Sequence, residues 1–114
     1  MTKLIKREDW AEHPKRWQGE VQLGDHGGDI CIIFNYIAGP GGGPRLHTHP
    51  YAETFIVRQG TGRFTLGDQE IIATAGEILI APAHTPHKFA NVGPGALETI
   101  DLHSSGKFIT EWLE

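Results

Sequence analysis

The stretch GGGPRLHTHPYAETFIVRQG, running from Gly41 to Gly60, decides how the rest of this chain is read. Within it His47, His49 and Glu53 stand at a spacing that suits metal ligation. Side chains of an extended segment alternate, so His47 and His49 point the same way and a single strand presents two imidazoles to one ion. Pro50 lacks the N–H that a sheet ladder needs. The strand is therefore expected to end there, with Glu53 opening the next one and turned back toward the same point. Two imidazoles and a carboxylate are ligands that a borderline divalent ion accepts together.

A further imidazole stands downstream at His87, inside GEILIAPAHTPHKFAN, Gly76 to Asn91, where Gly, Pro and turn residues bound a short apolar run. On these residues the chain resembles the cupin superfamily in its small single-domain form. The first motif of that family, G-x5-H-x-H-x3-E-x6-G, is met by Gly41, His47, His49, Glu53 and Gly60. The second, G-x5-P-x-G-x2-H-x3-N, is met by Gly76, Pro82, His87 and Asn91, with His84 standing where the family has Gly. The resemblance implies an all-β fold, a double-stranded β-helix or jelly-roll barrel. It also implies that His47, His49, Glu53 and His87 hold one divalent transition metal ion at the barrel's inner end. A lone strand histidine is more often a satisfied polar residue than a ligand. Four ligand types together at family spacing reverse that weighting.

Composition agrees with an all-β chain. The 114 residues fit one domain, and 15 Gly and 7 Pro fall between short apolar runs. Residues 29–114 are expected to form the barrel, and residues 1–28 an N-terminal segment of the same domain with a possible edge strand at KLI and another near Gly19 to Leu23. A net charge of −4 with scattered Lys and Arg leaves no basic stripe, so nucleic acid is not an expected partner. The single Cys31 lies in DICIIFNYI and reads as a small buried hydrophobe, not a catalytic thiol. With no span-length apolar run and no signal-peptide core at KLIKREDW, no membrane partner is expected and a cytoplasmic protein is.

Along the chain, Asp29 to Ile37 is apolar on both faces, with Ile32, Phe34 and Tyr36 on one and Cys31, Ile33 and Ile37 on the other. Such a strand needs cover on both sides, from the barrel interior and from either the N-terminal segment or a second subunit. Trp10 and Trp17 in a polar setting, with Trp112 and Phe108 near the C-terminus, add apolar surface that favours a homodimer. AGPGGGP lacks the Gly-Lys-Ser/Thr ending of a phosphate loop and is read as a turn. Thr61 to Leu66 alternates and turns at Gly67-Asp68 into Gln69 to Ala73, a hairpin. Glu77 to Ala81, Pro86 to Asn91 and Leu97 to His103 are the remaining strands, whereas GKFITEWLE fits a last strand or one helical turn equally. His13 and His26 are assigned no role.

Three imidazoles and one carboxylate leave a first-row ion, whether Mn, Fe, Ni, Cu or Zn, with open positions for a small-molecule ligand or substrate. Phe55 and Val57 follow Glu53 inward on parity, and Phe89 follows His87, so the wall beside the ion should be apolar. Candidate catalytic residues are Arg45, as a clamp for a substrate carboxylate; Tyr36, as a polar contact; and His84, as an acid or base at the mouth or simply a turn residue tolerant of positive φ. The reading that follows is a small metalloenzyme of oxygenase, isomerase or decarboxylase type, with dioxygenase-like chemistry among the options. The alternative is a non-catalytic module that binds or senses a sugar or small acid. No helix-turn-helix segment accompanies it, which favours the enzyme.

Overall fold

The computed structural model describes residues 3–114. Among these residues ten strands form two five-stranded antiparallel sheets that face each other across one core. One sheet has the order β1 (Gly19–Gln22), β2 (Cys31–Ile37), β9 (Leu97–His103), β4 (Glu53–Gln59), β7 (Ile78–Ala81). The other runs β10 (Glu111–Trp112), β3 (His47–Thr48), β8 (His87–Asn91), β5 (Thr61–Leu66), β6 (Gln69–Thr74). Chain neighbours thus often lie in opposite sheets, the arrangement of a jelly roll. The expected hairpin is β5 and β6, with Leu66 opposite Gln69.

The core is built by strict alternation. Phe55 and Val57 of β4, Phe64 of β5, Phe89 of β8 and Leu97 of β9 all point between the sheets and are fully or almost fully buried. Phe64 lies centrally, its ring 5.4 Å from Phe55 and 5.2 Å from Phe89, in the tilted and stacked geometries that aromatic rings favour. Two motif positions explain themselves here. Gly60 turns β4 into β5 at φ +85°, and a Cβ there would lie 2.2 Å from the Ala96 carbonyl oxygen, so only glycine fits. Asn91 donates from Nδ2 to the carbonyls of Ile37 and Gly95 and accepts from the Gly93 N–H, tying the end of β8 to the end of β2.

The N-terminal segment supplies the outer cover of β2. It contains α1, a single turn over Arg7–Trp10, at whose start the Lys6 N–H donates to the Asp9 carboxylate. Pro14 lies just beyond, and the chain does not return to helix before β1. Trp10 stacks on Phe34 at 3.7 Å, Trp17 meets the same ring edge-on at 5.1 Å, and the Arg58 guanidinium lies 3.8 Å over Trp17. The outer face of β2 is therefore covered by the chain itself, whereas Trp112, which also entered the homodimer expectation, is 53% exposed. Exposed apolar side chains gather elsewhere, at Ile72 of β6 and at Ile78 and Ile80 of β7, the two sheet edges. KLI forms no strand, whereas a strand is present at Gly19–Gln22. A one-turn 3-10 helix at Leu23–His26 was not expected. The undecided C-terminus is a strand: β10 pairs with β3, Trp112 opposite His47. Among the described residues, no helix is long and apolar enough to cross a membrane.

Candidate metal centre

Both sheets contribute to the site. His47 on β3 lies directly opposite His87 on β8, His49 follows β3 in the turn that Pro50 forces, and Glu53 opens β4 in the facing sheet. All four are buried, and one ligand atom from each lies within 4.8 Å of every other. Glu53 Oε1 is 3.0 Å from His49 Nε2 and 2.9 Å from His87 Nε2. Two ligands bound at right angles to one ion at about 2.1 Å lie about 3 Å apart, so these separations are those of an octahedral edge.

The imidazole tautomers follow from the backbone. His47 Nδ1 is 2.6 Å from the Arg45 carbonyl, His49 Nδ1 is 2.8 Å from that of Ile109, and His87 Nδ1 is 2.8 Å from that of Thr85. A carbonyl only accepts, so each Nδ1 carries its proton and donates, and each neutral ring turns an unprotonated Nε2 inward. With neutral rings at His49 and His87 that lone pair would face the Glu53 carboxylate, acceptor against acceptor, whereas a protonated His87 ring donates to Glu53 across the same 2.9 Å. His49 Nε2 is also buried with no hydrogen-bond partner. Such an opposition is stable only with a cation between the groups, either an added proton or a metal ion. Imidazoles pinned through Nδ1 to carbonyls are the arrangement that metal-ligating histidines adopt. The donor set therefore fits a divalent ion.

Beyond these four, the structure brings in residues the motif does not include. His103 of β9 lies opposite Glu53, with Nε2 3.2 Å from Oε2 but off the line of a hydrogen bond. Its Nδ1 is 2.7 Å from the Tyr51 hydroxyl, which accepts the Ile109 N–H at 3.3 Å. The two carboxylate oxygens of Glu53 thus have separate duties: Oε1 faces the ligand cluster and Oε2 faces His103. Two residues back on β9, Asp101 is 2% exposed, receives the Asn35 Nδ2 donor at 2.7 Å on Oδ2, and leaves Oδ1 buried without a partner. The period-two parity of LETIDLH placed Asp101 and His103 on the core face together with Leu97 and Thr99. That parity was the signal available for them.

The three catalytic candidates lie outside the cluster. Arg45 is exposed and its guanidinium sits 5.1 Å over the Trp112 ring, a cation–π contact at the rim that replaces the expected inward projection. Tyr36 shares the outer face of β2 with Ile32 and Phe34, and the Arg16 guanidinium lies 5.6 Å over its ring. Its neighbour Asn35 faces inward instead. His84 is exposed at φ 65°, and its N–H donates to the His49 carbonyl at 2.8 Å, so it serves the turn and props the loop that carries His49.

Electrostatics within the cluster are opposed and produce a pH signature. Burial favours the neutral acid at Glu53, but the imidazoles of His103, His49 and His87 outweigh it and hold the carboxyl far below its usual range. Burial also works against charge at His87, yet the bonds to Glu53 and to the Thr85 carbonyl raise its pKa on balance. At His47 burial wins and the pKa is lowered. The lowered pKa of His47 gives stability that is present above the unfolded imidazole value of 6.5 and lost as pH falls. The raised pKa of His87 gives stability that is complete below 6.5 and lost as pH rises through its folded value. Glu53 adds a further loss only as pH falls below the unfolded carboxyl value of 4.5. Burial also raises the Asp101 carboxyl, a contribution lost as pH climbs above the unfolded value of 3.8, so chelator-treated protein is expected to lose stability as pH rises above 6.5. Urea midpoints measured from pH 5 to 8 check this, and a steady rise across that range would contradict it.

A family model for the cupin domain matches residues 35–103. Mannose-1-phosphate guanylyltransferase 2 of Escherichia coli O157:H7 is 31% identical over 114 residues; the match takes in 97% of this chain and 23% of that protein, so the chain spans less than a quarter of its relative's length. Among solved structures, an uncharacterized conserved protein with a double-stranded β-helix domain from Klebsiella pneumoniae subsp. pneumoniae superimposes with a TM-score of 0.72 at 19% identity, over 100% of this chain and 99% of that one. A variant of the Bacillus subtilis oxalate decarboxylase gives 0.74 at 18% identity, over 83% of this chain and 27% of that one. An oxalate oxidase gives 0.72 at 18% identity, over 83% and 53%. At such identities these structures speak for the fold alone. With the family model spanning more than half its length, and two antiparallel sheets folded as the family requires, this chain belongs to the cupin domain family.

Proposed function

We propose that the protein is a metal-dependent enzyme, of oxygenase, isomerase or decarboxylase type, acting on a small oxygenated molecule, with His47, His49, Glu53 and His87 as the ligands of one divalent transition metal ion. The observation that carries this reading is the convergence at Glu53, where two imidazoles whose Nδ1 atoms donate to backbone carbonyls bring Nε2 to within 3.0 and 2.9 Å of one carboxylate oxygen. When bound there, a metal ion would polarise an oxygen of the substrate or lower the pKa of a water.

The chain's own residues supply the rest. Carbonyls of Arg45, Ile109 and Thr85 fix the three rings, and His103 Nε2 stands 3.2 Å from the second oxygen of Glu53, so little reorganisation would accompany metal binding. Apolar walls from Phe55 and Phe89 exclude water from the cluster and strengthen every charge interaction inside it. The open side faces a cavity of about 480 Å³, a size that admits a small organic molecule. Elemental analysis of protein purified without added metal, followed by oxygen-uptake assays on the occupied form, tests the proposal. One equivalent of a transition metal is the expected result. Protein that neither contains nor takes up such an ion would overturn it, and uptake without turnover of any small oxygenated compound would favour the binding module.

A further inference from the structure

The cavity beside the cluster has a composition that narrows what can enter it. Its apolar wall is Ile33, Ile37, Phe55, Phe89, Phe108 and Trp112, and among the described residues no Lys or Arg lines it. The nearby guanidinium of Arg45 is engaged at the rim, over Trp112. The acidic groups on the lining are Glu20, Glu53 and Asp101. On the same lining, Asp101 offers a buried carboxyl oxygen, Oδ1, that has no hydrogen-bond partner among the described residues.

We infer that this cavity takes a largely apolar molecule of about ring size, bringing at most one negative charge, placed at the metal, and presenting a second polar group to the free carboxyl oxygen of Asp101. The inference rests on the metal reading above. A divalent ion with one carboxylate and neutral imidazoles leaves a single positive charge over, so one anionic oxygen neutralises the site. A second anionic group would be buried with no cation to receive it, and an uncompensated buried charge is strongly disfavoured. Size argues the same way. A two-carbon dianion such as oxalate would leave most of about 480 Å³ unfilled against aromatic walls. Asp101 is suited to meet a hydroxyl or carbonyl, because Asn35 already fixes its other oxygen and so its orientation. Burial, and then the Glu53 charge, push its carboxyl well above the usual range, in keeping with a group that meets a ligand without repelling it.

Three probes that share one phenyl ring separate the possibilities: neutral 2-hydroxyacetophenone, monoanionic mandelate and dianionic phenylmalonate. Binding to Mn2+-loaded protein is read by water-proton relaxation, which reports displacement of metal-bound water and needs no turnover. Metal uptake is measured first, and its absence overturns the metal reading and this inference together. With uptake established, the neutral and monoanionic probes are expected to bind at least about tenfold more tightly than phenylmalonate. Phenylmalonate or oxalate binding as tightly, or no probe binding at all, overturns the ligand class and leaves the metal reading standing. Asp101→Leu is expected to weaken 2-hydroxyacetophenone about fivefold to tenfold with Mn2+ uptake retained, and Asp101→Asn to restore most of that loss. Equal binding by the parent and Asp101→Leu, or by the parent and Asp101→Ser if the leucine variant does not fold, removes Asp101 from the proposal.

Discussion

Replacing Glu53 with glutamine is expected to reduce affinity for a divalent transition metal by at least about a hundredfold, the upper end of what losing a mere outer partner of a metal ligand costs. The amide keeps the shape of the side chain and removes its charge. Oε1 faces both His49 and His87, so the substitution affects two neighbours at once. An amide oxygen is a poorer ligand than a carboxylate, and an amide nitrogen in its place would donate to the imidazoles and fill the space the ion needs. Isothermal titration with Mn2+ or Co2+ reads the change. His84→Gly serves as the comparison, because that side chain is exposed and the N–H that props His49 remains in glycine. Equal metal affinity in Glu53→Gln and the parent would remove the carboxylate from the site, whereas equal losses in both variants would point to damage to the loop.

Phe64→Ala is expected to cost about 3 to 5 kcal/mol of folding stability, a large part of the total for a domain of this size. Phe64 is fully buried between the sheets and contacts aromatic rings from both of them, Phe55 of β4 and Phe89 of β8. The neighbours are themselves fixed by strand pairing and can collapse only partly into the gap. The cavity term then adds to the lost transfer energy. Chemical denaturation of the parent and variant checks the figure. A loss under about 1 kcal/mol would mean that the sheets close readily over the gap and that the core is less tightly fitted than its burial indicates.

How far these features could be read in advance depended on the physical origin of each. His47, His49, Glu53 and His87 were legible because strand parity and one proline fix where consecutive side chains point, and parity is a property of local sequence. The strands from Thr61 to His103 were legible for the same reason. Parity placed His103 and Asp101 on the core face, but only the pairing of β9 with β4 brings them beside Glu53, and Tyr51 joins through its hydroxyl to His103. Arg45 shows the limit of parity. Its position alternates correctly with His47, but a long flexible side chain at a strand end goes where its charge is best placed, and the Trp112 ring takes it. Tyr36 lies on the outer face of β2 under the Arg16 guanidinium, and Asn35, one residue earlier, has the inward parity in a strand whose pattern is otherwise apolar. The cover of β2 was ambiguous in sequence because a tryptophan in a polar segment fits its own barrel or a second chain equally well.

The joint between His49 and the C-terminal segment carries one more consequence. The carbonyl that fixes the His49 ring belongs to Ile109, whose N–H reaches Tyr51 and, through it, His103. The segment that includes Ile109 is fastened downstream by a two-residue ladder at Glu111–Trp112 and by the Leu113 N–H to Leu46. Phe108, Thr110 and Trp112 of the same segment also wall the cavity. Short terminal ladders are among the first parts of a fold to fray. Opening of this ladder would release together the carbonyl that fixes the His49 ring and three side chains of the cavity wall, so the order of the site depends on a strand that supplies none of its four clustered residues.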